Sequence, residues 1–140
     1  MLVGGHGGHV KLEVLGYERP SADNDDDANW LSCVASVRVG AFSGASRVSL
    51  TTHDFVGFEA GLRSMLDSLR GGASFQPRED MFVLNLEMQT GGTSRVSGRL
   101  DSDHLASARL TFSIDSDQSY LASTLAAVTA IVRAFPPVAR

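Results

Sequence analysis

Along most of this chain apolar and polar residues alternate one for one, and in two stretches they do not. Val10, Leu12 and Val14 alternate with Lys11 and Glu13, which predicts a half-buried strand over residues 9–17, because successive side chains of an extended chain point to opposite faces. Residues 30–39 repeat the pattern, with Leu31, Cys33, Ala35, Val37 and Val39 on one face and Ser32, Ser36 and Arg38 on the other. The chain turns at Gly40 and around Phe42-Ser43-Gly44. Residues 45–51 then carry Val48 and Leu50 inward and Arg47 and Ser49 outward, so a hairpin is predicted. Further on, Phe82, Leu84, Leu86 and Met88 alternate with Asn85, Glu87 and Gln89. A turn at Thr90-Gly91-Gly92-Thr93 leads into residues 94–100, with Val96 and Leu100 inward and Arg95, Ser97 and Arg99 outward. Residues 107–115 follow, burying Ala108, Leu110, Phe112 and Ile114 and turning Arg109, Thr111 and Ser113 outward. Three sequential strands with short turns make a meander.

The two exceptions have the period of a helix. Phe55, Phe58, Leu62, Met65, Leu66 and Leu69 form one stripe, with Thr52 or Asp54 available as N-cap and Gly71-Gly72 as the stop. Gly57 and Gly61 fall four apart inside this helix, where each costs about 1 kcal/mol against alanine, so a close approach of helix to sheet is expected there. A short extended piece, residues 73–76, follows and ends at Pro77. The second helix, residues 117–135, carries Leu121, Leu125, Val128, Ile131, Val132 and Phe135. Asp115 or Ser116 is its expected cap, with Gln118 completing a capping box, and Pro136-Pro137 ends it. The fold class is α+β: an antiparallel sheet of about six to seven strands, in hairpins and a meander, packed with two amphipathic helices. No composition shift divides the 140 residues, so one domain is expected. The glycine-rich residues 1–8 read as a mobile start and the aspartate-rich residues 18–29 as a solvated acidic loop.

Composition narrows the function classes. The chain is 43% apolar and 20% charged, inside the globular range. No run reaches the ~20 apolar residues of a membrane span, and no export signal is visible at the start. The single cysteine, Cys33, cannot pair internally, which points to a reducing compartment and makes the cytoplasm the expected location. A net charge of -4 argues against a general nucleic-acid binder. Apart from Lys11 every basic residue is arginine, which we read as the codon bias of a GC-rich bacterial genome.

Candidate chemistry is sparse. Asp23, Asp25 and Asp27 match the first ligand positions of a calcium loop, but Ala28 replaces the needed glycine and Val34 the closing glutamate. His6 and His9 lack a third ligand nearby. Asp101, Asp103 and His104 cluster in one turn and supply the alternative reading, a small metal-dependent enzyme or small-molecule-binding domain, although turns collect aspartate for backbone reasons alone. Glu79 with Asp80, and Asp115 with Asp117, sit where acids cap or solvate element ends. Apolar strand neighbours place Cys33 in the core. There is no nucleophile elbow, phosphate loop or dinucleotide fingerprint. No catalytic residue, metal or cofactor is therefore assigned. The pattern that remains is Arg38, Arg47, Arg95, Arg99 and Arg109, all outward by the alternation; if their strands share a sheet, these forks form one field suited to carboxylates. The plainer alternative is a solvated face on which acids such as Glu87 pair the arginines weakly.

The order of landmarks resembles a group of small bacterial proteins that includes immunity proteins of contact-dependent toxins, the type guarding against the cell-wall-associated toxin of bacilli. The resemblance is carried by Phe42 and Gly44 in the first hairpin, Asp54, Phe58 and Leu62 in the first helix, Gly72 and Ala73, Gly98, and then Leu110, Phe112, Asp117, Gln118, Tyr120 and Leu121. The glycine-rich start and the aspartate run lie outside it. It implies a non-enzymatic protein that binds and blocks a partner. The expected function is a cytoplasmic protein-binding domain that engages an acidic protein surface, such as a toxin's, with neither nucleic acid nor membrane as partner. A homo-oligomer joining the arginine face to a neighbour's acidic loop stands as a third reading.

Overall fold

In the computed structural model, which describes residues 1–139, the alternating segments are strands and the segments of helical period are helices. Strands β1 (Leu2–Gly5), β2 (Gly8–Tyr17), β3 (Trp30–Val39) and β4 (Phe42–Thr51) form one antiparallel sheet in that order. Strands β5 (Gly72–Phe75), β6 (Phe82–Met88), β7 (Thr93–Asp101) and β8 (Arg109–Asp117) form a second, also in chain order. Helices α1 (Asp25–Ala28), α2 (Thr52–Ser68) and α3 (Gln118–Ala134) complete the fold. The α+β class and the antiparallel hairpins and meander are those expected; the strands number eight, divided between two sheets of four.

Register keeps the apolar positions together. Leu12 lies opposite Ala35, Cys33 opposite Val48 and Leu31 opposite Leu50, while in the second sheet Leu86, Val96 and Ile114 share one row. Antiparallel partners point to the same face, so each sheet has one apolar side. Both apolar sides, with Phe55, Phe58 and Leu62 of α2 and Leu121 and Val128 of α3, belong to one buried cluster. Phe75 ties three elements together: its ring centroid is 5.2 Å from Phe55, 4.3 Å from Phe58 and 6.4 Å from Phe82.

Helix α2 is capped one residue before Thr52 and three before Asp54, the two expected caps. Thr51 accepts from the Asp54 amide at 3.1 Å and the Asp54 carboxylate accepts from the Thr51 amide at 2.7 Å, a reciprocal capping box. The close approach expected of its glycines occurs at Gly61, where a Cβ would lie 3.1 Å from that of Ala73, but not at Gly57, which has nothing within 4 Å. At α3 the cap is Asp117, whose carboxylate accepts from the Ser119 amide at 2.9 Å. Asp115 and Ser116, the expected caps, are taken up by β8, which runs two residues further than the alternation indicated. Ala108, expected inside, is exposed ahead of that strand. No helix among the described residues is long and apolar enough to cross a membrane.

Two segments expected to be irregular contain regular elements. Residues 1–8, read as a loose start, contain β1: Val3 lies opposite Val10 and is fully buried. Glycine serves proximity here rather than freedom. A Cβ on Gly5 would lie 2.4 Å from the Asp115 carbonyl, and the next amide, His6, donates to that carbonyl at 2.8 Å, which joins the edges of the two sheets. Within the acidic run, Asn24 caps one turn of helix by accepting from the Asp27 amide at 2.8 Å. That turn ends at Asn29, which is 2% exposed. The Asn29 amide nitrogen donates to Asp25 and Val138 carbonyls at 2.6 and 2.7 Å, and its oxygen accepts from the Thr52 hydroxyl and the Val138 amide at 2.8 and 2.7 Å. All of its side-chain hydrogen-bonding capacity is used.

Gly5→Val should therefore destabilise the fold by about 2 kcal/mol through overpacking at the seam, although valine is the better strand residue. Gly44→Ala, where a Cβ meets nothing within 4 Å, should lie within about 0.5 kcal/mol of the parent. Urea denaturation of the two variants measures the difference.

Candidate functional site

With the interior apolar, functional chemistry has to sit on the outer faces, at the sheet ends or in clefts. The five outward arginines do lie on outward strand positions, but on two sheets. Arg38 and Arg47 are exposed on β3 and β4 of the first; Arg95, Arg99 and Arg109 lie on β7 and β8 of the second. The condition that their strands share one sheet is not met, so the single field of guanidinium groups becomes two separate sets.

The second-sheet set is neutralised by neighbours. Arg95 Nη2 lies 3.1 Å from Asp115 Oδ1, directly across the β7–β8 pair. Arg99 donates from Nη2 to Asp80 Oδ1 at 2.5 Å and from Nη1 to Asp101 Oδ2 at 2.7 Å. Arg109 grips the same Asp101 bidentately, Nε to Oδ1 at 2.8 Å and Nη2 to Oδ2 at 3.1 Å. Asp101 is 3% exposed, and the hydrogen bonds from Arg109 and then Arg99 hold its carboxyl below the usual carboxylate range against the opposing effect of burial. Its carbonyl also accepts from Ser46 of β4 at 2.8 Å. The unit fastens the strand ends of the second sheet to the first.

That geometry removes the basis for a site at Asp101, Asp103 and His104. Asp101 faces its arginines, and Asp103 Oδ1 accepts from the Leu105 and Ser107 amides at 3.0 and 3.1 Å, shaping the turn. His104 is exposed. Three further acids are similarly occupied: Asp26 pairs with Arg78 at 2.7 Å, Asp27 with Arg19 at 3.4 Å, and Asp117 caps α3. His6 approaches Asp117 at 3.9 Å and sets its ring edge-on to Tyr120, whereas His9 lies opposite Gly4 and Arg38. No group of three metal-ligating side chains occurs among the described residues. Cys33 is fully buried, and burial pushes its thiol up to about 12.

The first sheet differs. In the row of Arg38 its neighbours are His9 and Ser43; Lys11 stands in a row with Ser36 and Ala45; Arg47 shares a row with Val34 and Glu13. Among the described residues no carboxylate lies within ion-pair distance of Lys11, Arg38 or Arg47. Lys11, which stands outside the set of five arginines, takes the outward position that its alternation with Val10 and Leu12 implies. A cleft of about 400 Å³ also went unforeseen, because Asn29, His53, Asp54, Gln76 and Arg78 meet there from distant segments. Its one arginine, Arg78, is held by Asp26 and lies 5.1 Å above the Trp30 ring.

Replacing Asp101 by alanine should cost about 3 kcal/mol, since Arg99 is half-buried and would lose its inner partner. Because the folded-state pKa of Asp101 is the lower one, its contribution is complete above the ordinary carboxylate value of about 3.9 and is lost as pH falls through the folded value. Melting temperatures from about pH 5 down to about pH 2 should fall less steeply in Asp101→Asn than in the parent. Cys33 should resist a thiol reagent at about pH 8 until the protein is unfolded, as titration with and without denaturant reports.

Residues 1–136 match the model of the WapI family, described as the immunity protein WapI-like family. No curated protein matches the sequence. The match covers nearly the whole chain, including the β1 segment and the acidic run that lay outside the resemblance read from the residues, and the chain belongs to the immunity protein WapI-like family.

Proposed function

We propose that this protein neutralises a toxin by binding it, without catalysis, in the cytoplasm of the bacterium that makes it. The observation that carries the reading is membership in an immunity-protein family over residues 1–136. The geometry supports a binding role over an enzymatic one: the acids that suggested chemistry hold ion pairs, caps and turns. Two sheets packed on one buried cluster with polar outer faces suit a preformed interface, which loses little freedom on association.

The test is co-expression with a candidate toxin from the same genome. Wild-type protein should restore growth and purify with the toxic domain in a fixed ratio. Toxin separated from the complex in denaturant and refolded should be fully active, because a binder leaves its target chemically unchanged. Absence of protection, or toxin that stays inactive after separation, overturns the reading.

A further inference from the structure

We propose that the toxin docks on the outer face of β2, β3 and β4, through a carboxylate-bearing surface received by Lys11, Arg38 and Arg47. The inference rests on the toxin-binding reading and adds to it a location and a partner chemistry. It begins from a contrast between two faces of one molecule. On β7 and β8 each arginine meets an aspartate. On β2 to β4 the three cations have no such partner among the described residues, in a chain whose 16 acidic residues exceed its 12 basic ones. These charges are unspent within the molecule.

The layout fits a protein surface. Standard strand spacing and rise put the Cα atoms of Lys11, Arg38 and Arg47 at the corners of a triangle of roughly 8, 12 and 14 Å, the scale of an interface centre. The floor between them is Val34, Ser36 and Ala45, small side chains that let a partner approach while the long cations reach up around it. Guanidinium forks bind carboxylates in a fixed geometry and are enriched among interface hot spots. Glu13 stands on the same face in the row of Arg47. Together with the net charge of -4 it disfavours a phosphate backbone and fixes a register for a partner of mixed, mainly acidic, charge.

The experiment uses the full chain and the purified toxic domain whose killing the wild-type protein suppresses. Arg38→Glu combined with Arg47→Glu should weaken the dissociation constant measured by calorimetry at least about 100-fold, about tenfold for each reversed contact. The wild-type association rate should fall with added salt. Both positions are exposed, so the melting temperature should stay within about 2 °C of the parent. Arg95→Gln, on the second sheet, should bind within about threefold of wild type. Wild-type affinity in the double variant overturns the docking face while leaving the toxin-binding reading intact. Failure of the wild-type chain to bind any toxin overturns both. If Arg38 and Arg47 instead prove necessary for binding a single-stranded RNA, or for self-association in sedimentation, with toxin affinity unchanged, the face belongs to another partner and the proposal is wrong.

Discussion

The structure depends on two sheets sharing one interior. Each has a single apolar side, with Leu12, Leu31 and Leu50 in the first and Leu84, Val96 and Ile114 in the second, all in the same buried cluster. Exposing either side would forfeit roughly 1.5–3 kcal/mol for each large side chain. Neither sheet can satisfy its apolar side alone, so the helices and the opposite sheet are obligatory cover. Phe75 shows how closely the layers are joined, since it touches rings from α2 and β6 at once.

Polar groups then decide how the two layers are aligned. The glycines of β1 let its backbone reach the Asp115 carbonyl. Ser46 reaches the Asp101 carbonyl from the other sheet, and Asn29 fastens the start of α2 to the segment that follows α3. Asp101, with an arginine on each side, adds a charged fastening at the strand ends. Directional bonds of this kind each contribute about 1 kcal/mol net. Their larger effect is to exclude other alignments of the same apolar surfaces.

The residues that carry the family resemblance serve this scaffold. Asp54 closes a capping box, Phe58 and Leu62 fill the core, Asp117 caps α3, and Gly72 and Gly98 lie where a Cβ would meet a neighbouring carbonyl at 2.3 and 2.1 Å. Phe42 and Gly44 stand on β4 at the parity of the inner positions Val48 and Leu50, not among its outward ones. None of the resemblance residues occupies the outer face of β2 to β4. The residues that carry the resemblance thus lie away from the surface proposed to select the partner.

How much was legible follows from the range of the forces involved. Alternation and helical period are local consequences of chain geometry, so the strands at Leu12, Cys33, Leu84 and Phe112, both long helices, the buried Cys33 and the outward arginines could be read in order along the chain. The caps were misplaced by one to three residues, because Thr51 and Asp117 are also the last residues of strands and only the hydrogen bonds show which role ends where. Strand β1 escaped notice because glycines mask alternation, and its burial at Val3 depends on pairing with a strand rather than on its own composition. Only the tertiary structure decided that the strands form two sheets, that Asp101 faces Arg99 and Arg109, and that Arg38 and Arg47 stand apart from Arg95 with Lys11 beside them. Those facts depend on which backbone donors meet which acceptors across long separations, and a residue's own neighbours in sequence carry no record of that choice.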